Sequence, residues 1–276
     1  MRIRRLLAIG IASWGIIFSV GCSSTPDPVT EPEDLITEKP ATAPRPAQAR
    51  SADVDEAMAA MTTRRYRDAA DAWGRAIEQN PDNWELHMNH AIALSGAPDF
   101  NNAIAAIERA MDLGGEREWV VWFNLGNIYQ NRGMYEEAIQ AYRAGLSLHA
   151  TPHYESLVNL CASYVFLNQY AEAQSTCNYA IDLAPNDPRA HHNLALIPQL
   201  RQKFEDAIAA YEGINDRFPD FAQSYYNKAE AHVALKQYAS ARRAFQRYID
   251  LAPDGPYVKR AKNRLRGLVG RRDAAS

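Results

Sequence analysis

Imidazoles and thiols are the side chains of this chain best suited to chemistry: metal binding, acid–base catalysis, nucleophilic attack or crosslinking. There are seven histidines and three cysteines in 276 residues. His87 and His90 stand i, i+3, which puts both on one face of a helix, and His191 and His192 are adjacent. His149 and His153 flank a short loop segment. A zinc site needs three or four converging ligands, and no carboxylate or thiol pattern completes any of these pairs. His87 and His191 also occupy the place that Trp122 fills elsewhere in the chain, so packing between helices is their expected use. No G-x-x-x-x-G-K-[ST], H-E-x-x-H, G-x-S-x-G or C-x-x-C segment is present. The chain is therefore read as a non-enzyme, with no catalytic residue, no metal and no cofactor expected.

Cys161 and Cys177 belong to one stretch of the sequence, the first in place of a small residue and the second in place of a large one. In an oxidising compartment they could form a disulfide. Two helix positions need not meet the narrow Cβ geometry of a bridge, so two small buried thiols are the expected state. Cys22 is different. Arg2, Arg4 and Arg5 precede an uncharged run from Leu6 to Val20, too short for a comfortable membrane span, and Gly21-Cys22 follows it. Residues 1–21 resemble a bacterial lipoprotein signal peptide. The resemblance implies cleavage before Cys22 and acylation there, palmitate included. Each buried CH₂ contributes about 0.8 kcal/mol, so stable attachment takes more than one chain. Ser23, where an aspartate would favour retention, implies sorting to the outer membrane facing the periplasm, with the inner membrane as the alternative.

Residues 22–50 hold the expected lipidated cysteine and then six of the fifteen prolines without apolar periodicity. Such sequence cannot bury enough surface to offset ordering, and it reads as a disordered tether reaching roughly 85 Å when extended. The formal charge of −3 includes three arginines of the signal segment and no acid from it, so the remainder stands at −6. That balance argues against nucleic acid as a partner.

From residue 51 the chain repeats. Tyr66-x-x-Ala69, Phe100-x-x-Ala103, Tyr135-x-x-Ala138, Tyr170-x-x-Ala173, Phe204-x-x-Ala207 and Tyr238-x-x-Ala241 recur every 34 or 35 residues. Four residues after the alanines stand Trp73, Ile107, Tyr142, Cys177, Tyr211 and Phe245. Pro81, Pro185, Pro219 and Pro253 close four of the copies, because proline cannot continue a helical ladder. Each copy has two apolar-periodic stretches of helical length, and one such pair cannot bury its apolar face alone. The pattern is clearest in Trp122-Phe-Asn-Leu125-Gly126-Asn-Ile-Tyr129 followed by Gly133, Tyr135, Ala138 and Tyr142, and it resembles the tetratricopeptide repeat. That resemblance implies an all-α fold: a right-handed superhelix, or α-solenoid, of about six helix-turn-helix repeats over 51–255. A capping helix is expected over 256–270, with a stripe of Tyr257, Ala261, Leu265 and Leu268. Its basic residues, Lys259, Arg260, Lys262, Arg264 and Arg266, are expected to face solvent, and 271–276 reads as a disordered tail. Pro198 predicts a kink or early end to the first helix of copy five. Ser95-Gly96-Ala97-Pro98 predicts a shortened first helix in copy two.

Asparagine is a poor helix former, yet Asn89, Asn124, Asn159, Asn193 and Asn227 recur at the repeat period. Two readings stand equally: bonding between neighbouring copies, or amides lining a ligand groove. In the resembling family the first helix of each pair lines the concave surface. That places Phe123, Asn127, Gln130, Asn131, Val158, Asn159, Val165, Phe166, His192 and Tyr226 in a protein-binding groove, with Met58, Met61, Met88, Ile92, Gln199 and Glu230 at equivalent places. The groove has little positive charge, so a clamped C-terminal carboxylate is disfavoured and a segment with apolar anchors is expected. A lipoprotein signal with six such repeats resembles the pilotin lipoproteins of type IV pili, of the social gliding type, which help an outer-membrane secretin assemble. The function expected is an envelope scaffold or assembly factor, its partner a secretin or another envelope protein, and its state a monomer. The alternatives are an adaptor recruiting peptidoglycan enzymes or proteases, and an accessory factor for outer-membrane protein insertion or polysaccharide export.

Overall fold

The computed structural model describes residues 51–148, 151–271 and 273. The expected signal peptide, Cys22, the tether, His149 and most of the tail lie outside the described residues. Within them stand thirteen α-helices and one 3-10 turn, with no strand. The first helices of the six pairs are α1 (Ala52–Thr62), α3 (Trp84–Gly96), α5 (Trp119–Arg132), α7 (Tyr154–Phe166), α9 (Pro188–Leu200) and α11 (Ala222–Ala234). The second helices are α2 (Tyr66–Gln79), α4 (Phe100–Asp112), α6 (Tyr135–Leu148), α8 (Tyr170–Leu183), α10 (Phe204–Arg217) and α12 (Tyr238–Leu251). Each second helix begins on the aromatic of its aromatic-x-x-Ala segment, and all six of those alanines are fully buried. α13 (Val258–Gly267) follows. Consecutive helices pack in chain order, and the first helices of neighbouring pairs also meet, α3 on α5, α5 on α7 and α7 on α9. The result is a helical solenoid. No helix among the described residues is long and apolar enough to cross a membrane.

Local chemistry sets the helix ends. Ser51, Asn83, His153 and Asp187 each accept a backbone N–H of the first helix they precede. At the other end, one residue of positive φ reverses the chain inside five of the six pairs: Arg64, Gly133, Asn168, Gln202 and Lys236. The next residue then donates its N–H to the carbonyl five positions back, as in Arg65 to Ala60 at 2.8 Å, Met134 to Tyr129 at 2.9 Å and Gln237 to His232 at 2.9 Å. Only Gly133 adopts this left-handed conformation without a Cβ penalty. Lys236, with φ 58°, bears a cost of about 1–2 kcal/mol. Lys236→Gly is therefore expected to stabilise the chain by up to about 1 kcal/mol after the extra unfolded-state entropy of glycine is subtracted, read as a raised thermal midpoint.

Neither α3 nor α9 ends early. α9 runs through Pro198 to Leu200 and has 13 residues, as α7 and α11 do. Pro198 lies in the last turn, and the closing bond of that turn uses its carbonyl, which accepts from Lys203 at 2.9 Å. Proline lacks the N–H but keeps this acceptor. α3 also has its full 13 residues. Gly96 serves close approach instead: a Cβ there would lie 2.5 Å from the Tyr66 ring.

Packing within a pair follows one rule. A small residue on the first helix faces a large one sixteen positions later on the second: Ala57 and Trp73, Ala91 and Ile107, Gly126 and Tyr142, Ala195 and Tyr211, Ala229 and Phe245. Gly126 shows how tight the fit is, since an added Cβ would lie 2.5 Å from the Tyr142 ring. Cys161 and Cys177 take these same two places in copy four, with the same separation of 16. They form a disulfide with Cα atoms 5.4 Å apart, where two separate thiols were expected. The packing rule is the physical reason: these two places touch whatever fills them.

At the C-terminal end α13 buries Val258 and Ala261, with Tyr257 and Leu268 beside them. Lys259, Lys262 and Arg266 are exposed as expected. Arg264 is not left to solvent: its guanidinium bonds both carboxylate oxygens of Glu230, at 3.1 and 2.8 Å, and Arg260 lies 4.0 Å from the same carboxylate.

Candidate functional site: a concave cavity

From Asn124 onward, the asparagine ladder is a set of bonds from each copy to the one before it. Asn124 Nδ2 reaches Met88 Sδ at 3.5 Å, and Asn159 Nδ2 donates to Asn127 Oδ1 at 2.8 Å. Asn193 Nδ2 donates to the Val158 carbonyl at 3.0 Å, and Asn227 Nδ2 to His192 Nε2 at 3.0 Å. The amides thus knit neighbouring first helices together, which satisfies the first of the two readings. Glutamines add a second set. Gln130 Nε2 donates to the Asn159 carbonyl and to Ser163 Oγ, both at 3.0 Å, while Tyr142 donates its hydroxyl to Asn127 Oδ1 at 2.7 Å and lies 3.3 Å from Gln130 Oε1. Tyr211 repeats this in copy five, donating to Gln199 Oε1 at 2.6 Å.

These bonds hold the wall of a cavity of about 390 Å³, within the ~300–1,000 Å³ typical of ligand sites. Gln130, Val158, Asn159, Phe166 and His192 of the expected groove meet there. Its apolar walls include Ala162, Phe221, Leu251 and Pro256, and Tyr135 stacks on Phe166 with ring centroids 4.6 Å apart. Asn159 and Asn193 line it as well, so the ladder serves the cavity in addition to the stack.

The other expected groove residues stand elsewhere. Val165 is fully buried in the core between α7 and α8, because it lies one helical turn beyond Cys161 on the stripe that faces the second helix. Tyr226 is 2% exposed, stacked on Tyr257 at 4.9 Å, because the segment leading into α13 covers the last copy. Phe123 packs edge-on to His153 at 5.3 Å, and Asn131 is exposed beside Ser95. Asn127 is buried behind Asn159. Sequence reasoning did not find Tyr248, Leu251, Ala252 and Pro256, which come from copy six and its exit yet face helices of copies three to five.

The two charged residues in the cavity wall are each compensated. Arg189 forks onto the Asp187 carboxylate at 3.0 and 2.8 Å and lies 3.7 Å from Glu155. Burial works to raise the Asp187 carboxyl, but the bonds from the Arg189 side chain and backbone outweigh it and hold it below the usual carboxylate range. Asp220 lies 3.7 Å from Arg247. Burial pushes the His192 imidazole down to about 3, so it is neutral at physiological pH. His87 and His191 do not converge with other ligands: each imidazole lies near a proline carbonyl, that of Pro81 at 2.8 Å and of Pro185 at 3.3 Å. Among the described residues no group of three or more histidine, cysteine or acidic side chains is placed to hold a metal.

Comparison with known proteins agrees with this architecture. The DnaJ homolog subfamily C member 7 homolog of Dictyostelium discoideum is 24% identical over 190 residues, covering 67% of this chain and 34% of that protein. The chain thus spans about a third of that relative's length. Two solved structures share the fold. PilW, described as a widely conserved type IV pilus biogenesis factor, matches with a TM-score of 0.62 at 17% identity, over 76% of this chain and 96% of its own. PilF of Pseudomonas aeruginosa matches with a TM-score of 0.56 at 16% identity, over 77% and 96%. Tetratricopeptide repeat patterns match residues 54–114, 119–151 and 200–265, together more than half of the sequence. With its stacked helix pairs, its small-to-large packing rule and these matches, the chain belongs to the tetratricopeptide repeat family.

Proposed function

We propose that the chain is a protein-binding scaffold of the bacterial cell envelope that assists assembly of an outer-membrane machine such as the type IV pilus secretin. In this reading it is anchored by lipid at Cys22 and faces the periplasm. The observation that carries the binding role is the concave cavity, apolar in its walls, compensated in its charges and held by bonds between copies. Two further points support the envelope. A disulfide joins Cys161 to Cys177, and such bonds persist in oxidising compartments such as the periplasm. The Gly21-Cys22 junction points to the same place. The fold is also that of PilW, described as a type IV pilus biogenesis factor.

A deletion strain scored for detergent-resistant secretin multimers and for twitching motility tests this reading. Loss of both is expected, with restoration by the wild-type chain. Complementation with the double variant F166A/F221A, which strips two aromatic walls of the cavity, is expected to restore markedly fewer multimers at equal protein level. Normal multimers and motility in the deletion strain would reject the secretin role.

A further inference from the structure

Charge is divided unevenly along the sequence. Residues 51–235 hold 13 basic and 25 acidic residues, whereas 236–276 hold 11 basic and three acidic. Seven of those eleven fall between Asp254 and Asp273, with no acid among them.

The structure sorts the five basic residues of α13 onto two faces. Glu230 holds Arg264 in a fork at 3.1 and 2.8 Å and lies 4.0 Å from Arg260, so the inner pair is compensated. Lys259, Lys262 and Arg266 stand on the outer face, at i, i+3 and i+7, within an arc of about 60°. All three are exposed, and among the described residues none of them forms an ion pair. Their spacing along the axis is about 5–6 Å, below the ~8 Å screening length of physiological salt, so they build one field. Like charges three and four apart weaken a helix, so this stripe adds nothing to the stability of α13.

Val269 follows the stripe, three residues beyond Arg266 and two before Arg271. It is 77% exposed, the most of any large apolar side chain among the described residues. An acidic protein would engage the cations and leave this side chain in water. A phospholipid surface uses both: phosphates meet the ammonium and guanidinium groups, and an apolar tip enters the boundary with the acyl chains.

We propose that the outer face of α13 docks on an anionic phospholipid surface through Lys259, Lys262 and Arg266, with Val269 at the acyl boundary. The contact lays the C-terminal end of the solenoid on the membrane and so orients the array. This rests on the reading of the chain as held at a membrane, which supplies the surface.

The two lysines are themselves the reporters. The full chain, purified from its native cells, is mixed with neutral phosphatidylcholine vesicles or with vesicles containing about one-third phosphatidylglycerol. Acetylation by acetic anhydride is then followed residue by residue, with exposed Lys203 as the internal control. Lys259 and Lys262 should react about fivefold more slowly on the anionic vesicles, the factor that one cation gains at such a surface, while Lys203 is unchanged. About 0.5 M salt, which shortens the screening length to roughly 4 Å, should abolish the slowing. The variant R266E/V269D keeps both reporters and should lose it too. Equal rates on the two vesicles, with the chain sedimenting with both, would overturn the proposal and leave the lipid anchor standing. Slowing on anionic vesicles by a chain that does not sediment with neutral ones would support the proposal and overturn the anchor. Slowing by soluble polyglutamate as strong as that by vesicles, or slowing that persists in R266E/V269D, would overturn the proposal in favour of an acidic protein partner. Should the variant fail to fold, the wild-type comparison of vesicles with polyglutamate still decides.

Discussion

Reducing the Cys161–Cys177 bridge is expected to destabilise the solenoid by about 3 kcal/mol and to lower its thermal midpoint by roughly 6–12 °C. The bridge links α7 to α8 across a separation of 16 residues, and a loop of that size restricts the unfolded chain by about this amount. Both sulfurs are fully buried at the centre of copy four, where other copies bury a small residue against a large one. In a stack where each repeat touches only its neighbours, weakening one middle copy uncouples the two halves. The effect should extend to binding, because α7 supplies Val158, Asn159, Ala162 and Phe166 to the cavity. Thermal melts with and without reductant are the measurement. Cys161→Ala combined with Cys177→Val, which restores the small-to-large pairing, should melt lower than the oxidised wild type and be insensitive to reductant. A wild-type midpoint that does not change once both thiols are shown to be reduced would refute this account.

Tyr142→Ala is expected to cost more, about 3–5 kcal/mol, and to unfold copies three and four first. The ring is fully buried and fills the space that Gly126 leaves open. Its hydroxyl bonds Asn127 Oδ1, which also accepts from Asn159 of the next copy. Burial drives the phenol far above its ordinary value, so it remains a neutral donor at any working pH. Tyr142→Phe separates the two contributions. It keeps the ring and loses only the bond, at about 1–2 kcal/mol. Urea unfolding of the two variants, with hydrogen exchange along α5 and α7, reads both the size and the place of the loss. If the two variants lose equal stability, packing against Gly126 is not what holds this position.

Much of the fold was legible because each repeat states its own packing. Aromatic-x-x-Ala marks where the second helix begins, and the buried alanine is small because another helix lies against it. The early helix ends expected near Pro198 and Pro98 do not occur. In α9 the closing bond uses the Pro198 carbonyl, which proline retains. Cys161 and Cys177 carried more information than was taken from them. Their separation matches that of Gly126 and Tyr142, so contact between the positions followed from the repeat. The groove was half legible. Helical spacing brought Gln130, Val158, Asn159, Phe166 and His192 to one surface, but it could not separate Val165, which faces the second helix, or Tyr226, which the C-terminal segment covers.

By itself the sequence determined the repeat, its helix pairs, the residues at their contacts and the absence of a recognisable catalytic motif. These are properties of short spacings, and a spacing of three, four or sixteen residues is set by helix geometry and one tight turn. Only the tertiary structure decided which amides pair between copies and which parts of copy six close the cavity begun in copies three and four. Those depend on how small rotations between successive pairs accumulate along the stack. No single repeat encodes that sum.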